Sequence, residues 1–193
     1  MTSKDKILIG LVDADLLNGG TRHPNLALLK LAGFLADNAI PFRLIIDNDE
    51  DIMKYSAIYM SKVFSFTPDP PFYEKVKKTP DENKFKIGGT GDYAINKDIK
   101  DFKSSRTRDM NQLENDIFLN NYPNKRGGKK KWGIDMCRQM PYYHLYDEYI
   151  QSKIKAGRKK SYFNDYLYYS IIPSFSGYLL LSYSGSKLFL FSK

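Results

Sequence analysis

The residues best suited to chemistry fall into two loops and one basic run. The first loop follows an apolar stretch and carries Asp13, Asp15, Asn18, Arg22 and His23. Two carboxylates two residues apart offer hard oxygen ligands, which hold a divalent cation once further oxygens join them. His23 stands next to Pro24, where an imidazole either faces a ligand or serves the start of a helix. The second loop lies in KIGGTGDY, 86–93, as Gly88, Gly89, Thr90 and Gly91. Glycines at such a place let a ligand approach the backbone, or they satisfy a turn that needs positive φ. GGTG is not the dinucleotide fingerprint G-x-G-x-x-G, which belongs after the first strand, and no Walker lysine-serine pair accompanies it. The basic run holds Lys125, Arg126, Lys129, Lys130 and Lys131, followed by Trp132. Such a run contacts phosphates or is a solvated loop, and the indole either stacks on a base or anchors the loop. No second cysteine and no obvious histidine or aspartate partner marks Cys137 as a nucleophile, and His144, between Tyr143 and Leu145, reads as structural.

These loops need elements to position them. KILIGLV, 6–12, is a continuous apolar run of the kind found in a strand buried on both faces. PNLALLKLAGFLADN, 24–38, reads as a helix with proline at its first position. It is apolar on most sides, so it must be largely covered. Further strands are expected at 41–47, at 56–66 starting near Ala57, and at 84–89, with a short helix in FYEKVKK, 72–78. This order predicts right-handed crossovers and a parallel sheet. Ligands of such sheets bind outside the carboxyl ends of the strands, which is where both loops lie. The expected fold is therefore α/β, a Rossmann-like or flavodoxin-like parallel sheet with helices. A basic, partly helical C-terminal extension follows, with helical spacing over 141–169 broken at Gly157.

Composition divides the chain in the same place. Residues 1–90 hold 12 Lys+Arg against 12 Asp+Glu, and 91–193 hold 18 against 10, so the whole net charge of +8 belongs to the second half. A basic half suits nucleic acid, an anionic surface or an acidic protein. The single cysteine excludes an intrachain disulfide and a thiolate cluster. The N-terminal apolar run is broken by Asp13 and Asp15, unlike a signal peptide. No run of about 18 apolar residues is present to span a membrane. A cytoplasmic setting is expected. The apolar residues of 178–191 would be an aggregation hazard if exposed. They are expected to pack on the extension, pair as a hairpin, or bury against a protein partner or a second copy.

Four stretches carry a resemblance: IGLVDADLLNGGTRHPNLALLKLAGFL (9–35), YSAIYMSKVFSFTPD (55–69), FKIGGTG (85–91) and PYYHLYDEYIQSKIKAGRKKSYFNDYLYYSI (141–171). Together they resemble the front part of radical S-adenosylmethionine proteins that begin with a cobalamin-binding-like domain. The resemblance implies such a domain over 1–95, an irregular basic linker over 96–140 and a helical extension with an apolar tail over 141–193. It implies cobalamin as cofactor, with the Asp13–His23 loop facing the corrin and Gly88, Gly89 and Thr90 lining the groove of its nucleotide tail. Relatives that ligate cobalt use D-x-H-x-x-G; here Asp15 stands at the histidine and Asn18 at the glycine. In the family a barrel opening with C-x-x-x-C-x-x-C would come next. No cysteine follows Ile171, and a four-iron cluster needs three or four thiolates. The expectation is a chain truncated before the cluster motif, holding no iron–sulfur cluster and catalytically incomplete alone. Two alternatives stand beside it. One is a nucleic-acid or anionic-partner binder using Lys125–Trp132 and Lys153–Lys160. The other is a small-nucleotide binder at the Gly88–Gly91 edge.

Overall fold

The helix that is apolar on most sides organises the fold. In a computed structural model, which describes residues 7–19, 23–73, 84–89 and 112–164, it runs over Leu26–Asp37. The asparagine before it makes its start: the Asn25 side chain accepts the Leu28 N–H at 3.2 Å, which satisfies one of the orphan donors of a first turn. Asn38 closes the other end, and Ala39 takes φ 54 to let the chain turn away. Leu28, Leu29, Leu31, Ala32, Phe34 and Leu35 are all buried.

We number the elements β1 (Ile9–Asp13), α1 (Ala14–Leu17), α2 (Leu26–Asp37), β2 (Phe42–Leu44), β3 (Ala57–Ser61), β4 (Phe85–Gly88) and α3 (Asp147–Lys155). The strands form one sheet in the order β2-β1-β3-β4, and every pairing is parallel. This is the flavodoxin-like order, whose switch point lies between β1 and β3. Ile9 pairs with Ala57 and Asp13 with Ser61. All residues of β1 and β3 are buried, as a sheet covered on both faces requires.

Alternation along the strands divides the core in two. Ile9, Leu11 and Tyr59 face α2. Val12, Ile58, Met60 and Phe85 face the other way, onto Ile45, Ile52, Tyr55 and Phe72. The first core also holds Leu119, Ile134, Met136, Leu145, Tyr146, Tyr149, Ile150 and Phe163. The extension therefore packs into the same interior as the sheet, and it wraps α2. Tyr59 and Lys86 both reach Asp116, which seats the start of the wrap on β3 and β4. Arg126 makes two hydrogen bonds to the Asp37 carboxylate, at 2.7 and 2.6 Å. Lys30 donates to the Met136 carbonyl, and the Tyr142 N–H donates to the Leu29 carbonyl at 2.8 Å. The chain then turns through Tyr143–Tyr146 into α3, which ends at Lys155, and Gly157 beyond its cap takes φ 91.

The strands and α2 come in the expected order, with β1 running on to Asp13, α1 occupying part of the expected first loop, and the other bounds shorter. β2 ends at Leu44, and the Ile45 N–H beyond it still donates to the Leu11 carbonyl at 2.8 Å. β3 ends at Ser61 because Asp15 draws the following residues into a turn. Of FYEKVKK only the first residues are described, and the apolar tail lies outside the described residues. No helix among the described residues is long and apolar enough to cross a membrane.

The crossing at Gly33 gives a test. A Cβ there would stand 2.0 Å from the Met140 carbonyl oxygen. Alanine has the higher helix propensity by about 1 kcal/mol, yet the overlap forces the extension away from α2, at a cost of roughly 1–3 kcal/mol. Urea unfolding should find Gly33→Ala less stable than the wild type. A stabilised variant would show that the extension does not cross α2 at this position.

Candidate functional site at the carboxyl edge

The loops that leave β1, β3 and β4 meet at the switch point. Asp13 ends β1 and is 2% exposed. One of its carboxylate oxygens accepts the Leu16 N–H at 3.2 Å, which caps α1. The other accepts the hydroxyl of Tyr146 at 2.8 Å. The Tyr146 oxygen in turn accepts the Asn25 N–H at 3.0 Å, and the Asn25 amide donates to Ser61 Oγ at 2.8 Å. Asp13 and Ser61 are register partners, so β1, β3, the cap of α2 and the extension close one buried network. Burial pushes the Asp13 carboxyl up from 3.8 to about 6, against the lowering effect of the Tyr146 and Leu16 hydrogen bonds; the Asp15 charge adds to the rise.

Asp15 is 5% exposed and points into the neighbouring loop. It accepts the backbone N–H of Val63 at 2.7 Å and of Phe64 at 3.4 Å, and the hydroxyl of Thr67. The two carboxylates are thus engaged by the protein. Among the described residues no three His, Cys, Asp or Glu side chains gather as a metal site. Neither carboxylate is presented as the open ligand that its spacing suggested.

Asn18 is exposed at the end of α1. Gly19 has φ 134 and open space where a side chain would stand. His23 lies exposed just before the α2 cap. Gly88 accepts the Lys62 N–H at 2.9 Å through its carbonyl. Gly89 has φ 109, and a Cβ on it would sit 2.2 Å from the Lys62 carbonyl oxygen. Gly89 therefore permits two backbones to touch. Arg22, Thr90 and Gly91 lie outside the described residues. Lys62 itself is buried and pairs with Asp69 at 3.0 Å.

The basic run is elsewhere, at the far end of α2. Lys125 donates to the Asp37 carbonyl at 2.6 Å, Arg126 to its carboxylate, and Lys130 to the Glu114 carbonyl. Pro123 and Trp132 form a bridge that closes the loop. Lys129, Lys131 and Trp132 are exposed. The structure places this run apart from the carboxyl edge and uses part of its charge to hold the wrap.

Asn25, Ser61, Thr67 and Tyr146 complete the edge. Asn25 had a readable signal, as an asparagine ahead of an apolar helix. Tyr146 had none, since it lies 133 residues from the aspartate it meets. The fold and this edge define a parallel α/β module, and open sheets of this kind take ligands at the switch point, here between β1 and β3. Compared with known protein families, curated proteins and solved structures, the chain matches none.

The raised carboxyl of Asp13 has a sign. The folded form holds its proton to about pH 6 and the unfolded form releases it near 3.8, so this group's contribution is complete at low pH and is lost as pH rises through 6. The difference corresponds to roughly 3 kcal/mol. Asp13→Asn keeps an oxygen for the Leu16 N–H and removes the titration. Melting curves from pH 3.5 to 7 should show the wild type losing stability relative to the variant. Parallel curves would mean that Asp13 is not buried as described.

Proposed function

We propose that the chain is a cobalamin-binding-like module of a radical S-adenosylmethionine protein, a holder of a ligand and not a catalyst by itself. The observation that carries this is the strand order β2-β1-β3-β4, which gathers the Asp13–Asn18 turn, the exit of β3 and the Gly88–Gly89 turn on one edge. The four stretches of resemblance supply the ligand class, and three of them converge there.

Ligation of cobalt by Asp15 does not fit the donor set, because Val63, Phe64 and Thr67 already engage its carboxylate. Asp13 is likewise engaged, by Leu16 and Tyr146. What the edge supports is a resting surface made by the exposed turn of Asn18 and Gly19, with His23 beside the α2 cap. The single thiol, Cys137, leaves the chain without the ligands for a four-iron cluster.

The second reading, a nucleic-acid or anionic-partner binder, draws less support. Three of its cations, Lys125, Arg126 and Lys130, bind acceptors within the chain. The nucleotide reading shares the carboxyl edge and differs only in ligand.

Equilibrium dialysis of the full chain against hydroxocobalamin tests the proposal. Retention is expected, with an absorbance spectrum equal to that of the free cofactor, since neither aspartate coordinates cobalt. Passage of all the cofactor through the membrane would reject the reading. Retention with a shifted spectrum that Asp15→Asn abolishes would reject the resting-surface form of it.

A further inference from the structure

The loop that leaves β3 presents two phenyl rings to solvent. Phe64 is 44% and Phe66 81% exposed. Their ring planes lie 18° apart, with centroids separated by 5.3 Å. This is the offset stack that aromatic quadrupoles favour, and it leaves each ring an outer face turned away from the other.

The base of the same loop is buried and bonded. Asp15 accepts the Val63 and Phe64 N–H groups and the Thr67 hydroxyl. The Thr67 N–H donates to the Phe64 carbonyl at 3.2 Å. Lys62 and Asp69 pair across the ends of the loop at 3.0 Å, and the Lys62 N–H donates to Gly88. A loop held this firmly, with its two rings turned outward at the switch-point edge, is preorganised for contact. Two rings are far smaller than the roughly 800 Å² per partner that a stable protein interface covers. The outer face of such a stack matches the face of one planar ring system.

We propose that Phe64 and Phe66 form a stacking platform for the planar heteroaromatic ring of the ligand bound at this edge. This rests on the reading of the edge as a ligand site, and it adds which chemical feature the site selects. The aspartate that looked like a ligand acts here as the positioning residue of the platform. A base stacked on an aromatic side chain contributes about 1–3 kcal/mol, so removing the rings should weaken binding roughly ten-fold or more.

The test compares ring-bearing probes with ring-less counterparts on the full chain: AMP against ribose 5-phosphate, and hydroxocobalamin against cobinamide. Calorimetry should find at least one ring-bearing probe tighter than its counterpart. The double variant Phe64→Ala/Phe66→Ala should lose that difference while keeping the wild-type melting temperature. Phe64→Leu/Phe66→Leu keeps the apolar surface without the π faces and should also lose it; rescue by leucine would overturn the platform. So would equal binding of each pair by the wild type, no binding of either ring-bearing probe, or a difference that survives the double alanine change. Tight AMP binding without cobalamin binding supports the platform and rejects the cobalamin reading. Cobalamin binding that the variants leave unchanged does the reverse.

Discussion

The structure depends on covering α2. A helix of twelve residues is marginal by itself in water, and this one turns apolar side chains in nearly every direction. The sheet can cover only one side. Ile9, Leu11 and Tyr59 do so, and the opposite side would be left to solvent without the extension. Burying Leu28, Leu29, Leu31, Phe34 and Leu35 contributes on the order of 10 kcal/mol, comparable with the whole stability of a domain. The wrap that completes this burial is therefore part of the folding unit. Its polar contacts, Arg126 to Asp37 and Tyr142 to Leu29, set where it lies.

The same wrap reaches the carboxyl edge. Tyr146 comes from the extension, yet its hydroxyl joins Asp13 to the cap of α2. Any ligand at the switch point would meet an edge whose inner layer is closed by this tyrosine. The acidic pair of the first loop is spent inward, one member on α1 and Tyr146, the other on the loop of Phe64 and Phe66. A ligand at this edge would accordingly meet surfaces and backbone.

The parallel sheet was legible because continuous apolar runs at KILIGLV and AIYM, separated by a helix-period segment, leave few arrangements. The all-round apolar character of α2 also announced a cover, but not what the cover would be. Residues 96–140 read as an irregular basic linker because the buried apolar members described there, Leu119, Ile134 and Met136, are too sparse to show a period. At the site, the positions of Asp13 and Asp15 at the edge followed from strand order. Their engagement did not, since Tyr146, Val63 and Thr67 approach from remote or irregular segments. Spacing specifies which groups are near each other along the chain; it does not say which acceptors the fold has already satisfied.

Native-state hydrogen exchange tests most directly whether the extension and the α/β unit are one folding unit. The amide of Tyr142, which donates to Leu29, and the amides of Phe34 and Leu35 in α2 should exchange through the same opening. Their opening free energies should be equal and fall together in denaturant. Exchange of Tyr142 through a separate, lower-energy opening, with α2 still protected, would contradict the claim that the wrap holds the helix in place.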